Sequence, residues 1–345
     1  MFQTEIIHWL QSFSSDQLTN IMVGVSRTGY GDFYALCVIC VLAGIDFRKG
    51  LILSHVMILM VAVSELLKVA IALPRPSEAD ATVRMLDTGT PNPSPFVKMG
   101  ARSFFSLPPD NVIAYTRSLG NYSFGLPSGH CSSATTLWGG IALLFRNSWT
   151  LTLAFLVPVL MALSRMYLGR HFLADVLGGT IIGVIAVALL AWGMAKTRLA
   201  EKVFPSHPVN GYFDAVAFFR WLYLLVFPFI FLLFPALDMR LSSSLLGFNI
   251  GFLIISRSGI PIDNGTFPKR LTRIGLAFMI FVAVFVTMGL MHPYVPAGQL
   301  IVLAYARTTI AVALMIVVTV RAGVRFGLYD GRARSSFSHT TGNFQ

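Results

Sequence analysis

The chain has 345 residues, 55% of them hydrophobic and 12% charged, and a formal net charge of +11. Soluble domains carry about 25% charged residues, so a soluble globular protein is excluded and an integral membrane protein is indicated. The basic residues sit in short links between apolar runs and form no single patch, which argues for the positive-inside pattern and against nucleic acid as a partner.

In chain order, residues 1–29 form an amphipathic N-terminal segment. Ile6, Ile7, Trp9, Leu10, Phe13, Leu18, Ile21 and Met22 predict an interfacial helix over 1–24. The layout of a cleaved signal peptide, basic then apolar, does not occur there. Apolar runs able to span a bilayer, at roughly 20 residues each, fall near 30–47, 51–73, 128–146, 151–169, 172–195, 214–236, 241–258, 272–291 and 298–321. The fold class is therefore an all-α polytopic membrane protein, a bundle of about nine transmembrane helices. Its organisation reads as a five-span core over 30–195 with an outer loop at 77–125, a four-span extension over 196–326, and a polar, disordered cytoplasmic tail over 327–345.

Cys37 and Cys40 make a CxxC inside an apolar run and read as small packing residues. No metal-ligand cluster or disulfide framework is visible in the sequence. Gly179-x3-Gly183 permits close helix contact. In the 77–125 loop, Phe96, Phe104, Phe105, Leu107, Tyr115 and Tyr122 read either as the lining of a lipid entrance or as packing at the membrane surface. Arg220 and Arg307, inside late spans, require partners or water.

Charge orients the bundle. With residue 1 outside, the inner links and inner C-terminal end hold fourteen of the 26 Lys and Arg residues, Arg48, Lys49, Arg146 and Lys196 among them. The N-terminus then lies outside and the C-terminus inside. Three polar pieces at the ends of apolar runs fall on that same outer face. They are Lys68 with Arg75-Pro76, Leu126-Pro127-Ser128-Gly129-His130, and Ser164-Arg165 followed by His171 and Asp175.

The chemistry of these residue types converges on phosphate. Arg75, just past a helix end set by Pro74 and Pro76, offers a bidentate fork, and Lys68 a point charge. Glu65 is spaced to pair with Lys68. Pro127 and Ser128 open a helix whose first amides, at Gly129 and beyond, form an anion site, with the titratable His130 beside it. His171 and Asp175 are four apart, which stacks them on one helix face. A carboxylate on one ring nitrogen leaves the other as nucleophile. Arg165 adds a third cation. Arg170 has the wrong spacing for the His171 face and reads as a headgroup contact.

Lys68-x6-Arg75-Pro76, Pro127-Ser128-Gly129-His130 and Ser164-Arg165-x5-His171-x3-Asp175 resemble the three-part signature of the type 2 phosphatidic acid phosphatase family, also called lipid phosphate phosphatases. The resemblance covers roughly residues 30–195. It implies that His171 attacks phosphorus and forms a phosphohistidine, that Asp175 orients His171, and that His130 protonates the leaving alkoxide and then helps activate water. Lys68, Arg75, Arg165, Ser128 and the Gly129 amide would bind the phosphoryl oxygens, with no metal and no cofactor. The membrane composition argues against the soluble haloperoxidase branch of the superfamily. The nine-span layout is similar to the glucose-6-phosphatase type, whereas Asp175 follows the lipid-phosphatase form.

The resulting expectation is a metal-independent phosphomonoesterase. It removes the terminal phosphate of a lipid such as phosphatidic acid, phosphatidylglycerol phosphate or isoprenyl pyrophosphate. Its partners are that substrate and the surrounding membrane lipids, and its site faces the periplasm of a bacterial inner membrane. A soluble sugar-phosphate phosphatase and a lipid-to-lipid phosphotransferase are the alternatives, and a transporter or scaffold with a degenerate site is a fourth, non-enzymatic class.

Overall fold

The structure is a computed structural model and describes residues 1–120, 123–205, 215–263, 265–294 and 296–330. Tyr122 and the tail beyond residue 330 lie outside the described residues. The described chain is helical: α1 Glu5–Ser12, α2 Asp16–Arg27, α3 Gly31–Ile39 with a π-helical continuation Cys40–Ile45, α4 Phe47–Ile71, α5 Pro76–Ala79, α6 Asp110–Ser118, α7 Gly129–Phe145, α8 Ser148–Tyr167 and α9 Leu173–Trp192. Then follow α10 Leu199–Val203, α11 Ala215–Trp221, α12 Phe227–Ile230, α13 Met239–Ser256, α14 Phe267–Gly289 and α15 Leu300–Arg325.

Among the described residues, seven helices are long and apolar enough to cross a membrane, or eight if α2 and α3 with its continuation, bent by 58°, count as one span. The protein is a multi-pass membrane protein, and nine spans is an approximate count. α7, with 17 residues, is about 25 Å long at 1.5 Å per residue, short of the roughly 30 Å hydrocarbon core. The run at 30–47 forms the second arm of that bent pair.

The chain falls into two compact units, Met1–Leu36 with Val56–Trp192, and Cys37–His55 with Gly193–Gln345. In the first, α7 packs on both α8 and α9. Glycines set that spacing. A Cβ at Gly179 would lie 2.3 Å from the Ser128 carbonyl oxygen, and one at Gly183 would lie 2.5 Å from Thr135 Cβ. The Gly179-x3-Gly183 pair is thus a helix-contact surface, as its spacing predicts. The N-terminal amphipathic stretch folds as two helices, started at α2 by Ser15, whose Oγ accepts from the Leu18 amide. Ile7 and Gln11 face inward, whereas Trp9, Phe13 and Ile21 are exposed. Phe2, Ile7, Leu73, Val83, Val112 and Phe172 share one buried apolar cluster, so the 77–125 segment is packed down onto the unit. Phe96 and Tyr115 meet edge to face at 5.3 Å, while Phe104, Phe105 and Leu107 are exposed.

In the second unit α13 packs on α15 through Gly247 and Gly251, where a Cβ would lie 2.8 Å from the Thr309 carbonyl oxygen and from Ile316 Cδ1 respectively. Two polar groups are buried within it with partners. His55 Nε2 lies 2.7 Å from Asn249 Oδ1, and Asn249 Nδ2 donates to the Leu224 carbonyl. Arg273 donates to the Gly44 carbonyl at 3.0 Å, pairs with Asp263 at 3.4 Å and lies over the Tyr329 ring. Arg307 lies over the Phe285 ring, and Arg220 donates to the Lys202 carbonyl.

Candidate phosphate site in the first unit

Motif one closes α4. The helix ends at Ile71, Ala72 turns left-handed at φ 49°, and Arg117 from α6 donates to the Ile71 and Ala72 carbonyls, satisfying acceptors that a helix end leaves open. Lys68, in the last turn, pairs with Glu65 at 2.5 Å, the structural ion pair their spacing predicts. Arg75 is extended, at φ −87° and ψ 162°, as its flanking prolines require. Its Nε and Nη2 donate to the carbonyl oxygen and Oγ of Ser123 at 2.9 and 3.0 Å.

Motif two opens α7. Ser128 is the N-cap residue, but its Oγ accepts from none of the helix amides and has no hydrogen-bond partner among the described residues. The hydroxyl therefore does no capping. Gly129 comes close to Lys68, whose Nζ would lie 3.1 Å from a Cβ there. Motifs one and two therefore touch. His130 sits edge to face on Tyr30, at 4.9 Å between ring centroids. Gly29 presses on the same ring, where a Cβ would lie 2.2 Å from Cδ2. His130 Nε2 is buried with no hydrogen-bond partner.

Motif three spans the α8–α9 turn. His171 Nδ1 lies 3.3 Å from Asp175 Oδ2, which also accepts from the Phe172 amide at 2.9 Å. The four-residue spacing works differently from the sequence reading. His171 precedes α9, which begins at Leu173, and the two side chains meet because Asp175 bends back over the first turn rather than by stacking along a helix. Burial, reinforced by the charges of Arg75, Arg165 and Lys68, pushes the His171 imidazole well below its usual range. Nδ1 is the nitrogen held against Asp175 Oδ2, and Nε2 is the one turned away from it. The Ser128 amide donates to the Asp175 carbonyl at 2.9 Å, and a Cβ at Gly125 would lie 3.0 Å from Asp175 Oδ2. Motifs two and three touch as well.

Arg165 is 5% exposed. Nη1 donates to Ser26 Oγ at 2.7 Å, Nε has no partner, and no carboxylate lies within ion-pair distance among the described residues. Arg170 is corrected. It is no headgroup contact but an ion pair with Asp87 of the 77–125 segment, with Nε 3.0 and 2.8 Å from the two carboxylate oxygens. The sequence reading missed Ser26, Gly29 and Tyr30. The Thr28-Gly29-Tyr30-Gly31 break between two apolar runs was the available signal.

Four buried atoms in these motifs, Ser128 Oγ, His130 Nε2, Arg165 Nε and Asp175 Oδ1, have no hydrogen-bond partner among the described residues. Buried polar groups ordinarily have one. Fold and site together define a multi-pass helical membrane protein whose first unit gathers two histidines, a carboxylate and three cations. Residues 49–199 match the PAP2 superfamily model, and the chain carries a PAP2 superfamily domain over that stretch. It is also similar to a phosphatidylglycerophosphatase B of Bacillus subtilis strain 168, at 34% identity over 77 residues, covering 20% of this chain and 38% of that protein. A lipid A 4'-phosphatase of Porphyromonas gingivalis is 27% identical over 103 residues, covering 28% of this chain and 44% of that protein. The matched stretches thus span less than half the length of either relative. No solved structure matches the chain significantly.

Proposed function

We propose that the first unit is a lipid phosphate phosphatase centre that removes a terminal phosphate through a phosphohistidine. The observation that carries this reading is Arg165. It is a buried guanidinium with no carboxylate within ion-pair distance among the described residues, and its charge acts on His130, whose buried Nε2 has no hydrogen-bond partner among them. Leaving an ion uncompensated in a buried site costs several kcal/mol, and a phosphoryl group would supply the missing negative charge and acceptor oxygens.

The family resemblance implies the steps. Lys68, Arg75 and Arg165, with the Ser128 hydroxyl and Gly129 amide, hold the phosphoryl oxygens. His171 Nε2 attacks phosphorus, and the bond to the alkoxide breaks as His130 supplies its proton. Water, deprotonated by His130, then cleaves the phosphohistidine. The chemistry needs little beyond positioning and charge stabilisation. Asp175 holds the His171 tautomer throughout. The positive-inside bias of the links favours a site on the outer face of the membrane.

The purified protein is given phosphatidic acid, phosphatidylglycerol phosphate, isoprenyl pyrophosphate and glucose 6-phosphate. Free phosphate from one of the lipids, and a loss of roughly 10⁴-fold or more in His171→Ala, are expected. Release from glucose 6-phosphate alone assigns a soluble substrate, and a phosphorylated acceptor in place of free phosphate assigns a transferase. Full activity in His171→Ala sinks the mechanism.

A further inference from the structure

The turn from Ser164 to His171 takes much of its support from a part of the chain outside the three motifs and outside the 49–199 match. Thr19, Met22 and Ser26 lie three and four residues apart on α2, so they share one face, and that face lies along the end of α8. Thr19 Oγ1 and the Tyr167 hydroxyl are 2.8 Å apart, Ser164 Oγ donates to the Met22 carbonyl at 2.7 Å, and Arg165 Nη1 donates to Ser26 Oγ at 2.7 Å. Ser26 is itself 5% exposed.

α1 supplies the second support. Gln11 is 2% exposed. Its Nε2 donates to the Tyr167 and Arg84 carbonyls at 3.0 and 2.8 Å, and its Oε1 accepts from the Arg84 amide at 3.1 Å. Gly169 follows at φ +75°, where a Cβ would lie 2.5 Å from the Arg84 carbonyl oxygen and 3.2 Å from Gln11 Nε2. One amide side chain thus ties α1 and the 84 segment to the backbone that leads into His171.

The choice of a hydroxyl at Ser26 has a physical consequence. A carboxylate there would neutralise Arg165 and compete with a phosphoryl group for it. A hydroxyl orients one Nη and leaves the charge uncompensated.

We propose that Ser26 and Gln11 are positioning residues for the phosphate site, Ser26 setting the Arg165 guanidinium and Gln11 holding the turn into His171. This rests on the phosphatase reading above.

The test uses the full chain in detergent, phosphate release from the preferred lipid, and inhibition by orthovanadate as a phosphate mimic. Ser26→Ala is expected to raise KM and the vanadate Ki about 10-fold, the weight of one hydrogen bond to a charged group, with kcat changed less. Ser26→Thr, which keeps the hydroxyl, is expected to restore both. Ser26→Asp is expected to raise the melting temperature through the new ion pair and yet raise KM further than Ser26→Ala. A merely structural role would not produce that split. Gln11→Met is expected to lower kcat with KM little changed. The proposal is overturned if Ser26→Ala and Ser26→Asp keep wild-type KM and Ki, or if all losses track the melting temperature. His171→Ala separates the two failures: if it retains activity, the phosphatase reading itself falls, whatever the Ser26 variants do.

Discussion

Asp175 shows how much one side chain is asked to do. Its Oδ2 accepts from the Phe172 amide and lies against His171 Nδ1, so it ties the turn to the imidazole. Asp175→Asn keeps the shape but can present its amide nitrogen to His171, which disfavours the Nδ1–H tautomer. The expected result is a fall in kcat of roughly 10²- to 10⁴-fold with KM little changed, read from steady-state phosphate release. Unchanged kcat would mean that the 3.3 Å contact is only structural. Residue identity along the chain was enough to nominate Lys68, Arg75, Ser128, Gly129, His130, Arg165, His171 and Asp175. It did not identify their partners. Arg170 pairs with Asp87 across 83 residues and Arg165 with Ser26 across 139, and local spacing carries no information about such distant contacts.

At the scale of elements, the site depends on how closely α9 lies against α7. Gly179 is the tightest point, with the Ser128 carbonyl 2.3 Å from where a Cβ would be. Gly179→Ala must push the two helices apart or tilt one, at a cost of about 1–3 kcal/mol, and it would shift Ser128 away from Asp175. A lowered melting temperature in detergent together with reduced activity is expected; a wild-type melt would show that the contact yields freely. The glycine spacing was legible in the sequence because small residues four apart make a flat helix face. The break of the N-terminal amphipathic stretch into α1 and α2, and their packing on α8, were not legible. The apolar moment of that stretch is equally served by a lipid surface or by a protein neighbour.

For the whole molecule, the proposed phosphoryl transfer would draw its positive charge from side chains of the first unit. Lys68, Arg75 and Arg165 all act on His171. Activity is therefore expected to survive prolonged treatment with a chelator of divalent cations, measured as phosphate release before and after. Loss in chelator and recovery with added magnesium or zinc would overturn the expectation. The second unit pairs His55 with Asn249 and Arg273 with Asp263, four residues that the sequence did not single out, because pairing is a property of the packed bundle.

The sequence by itself determined the membrane class, the helical content, and the three motif pieces with their chemistry, because apolar length, proline, glycine and charge act locally along a chain. Only the tertiary structure decided that Gly129 touches Lys68, that Asp175 reaches back over a turn to His171, and that α1 and α2 wall the site through Gln11 and Ser26. Those contacts join residues far apart in sequence. Burial makes each of them matter, since a buried polar group must find its partner wherever the fold brings one within hydrogen-bond reach.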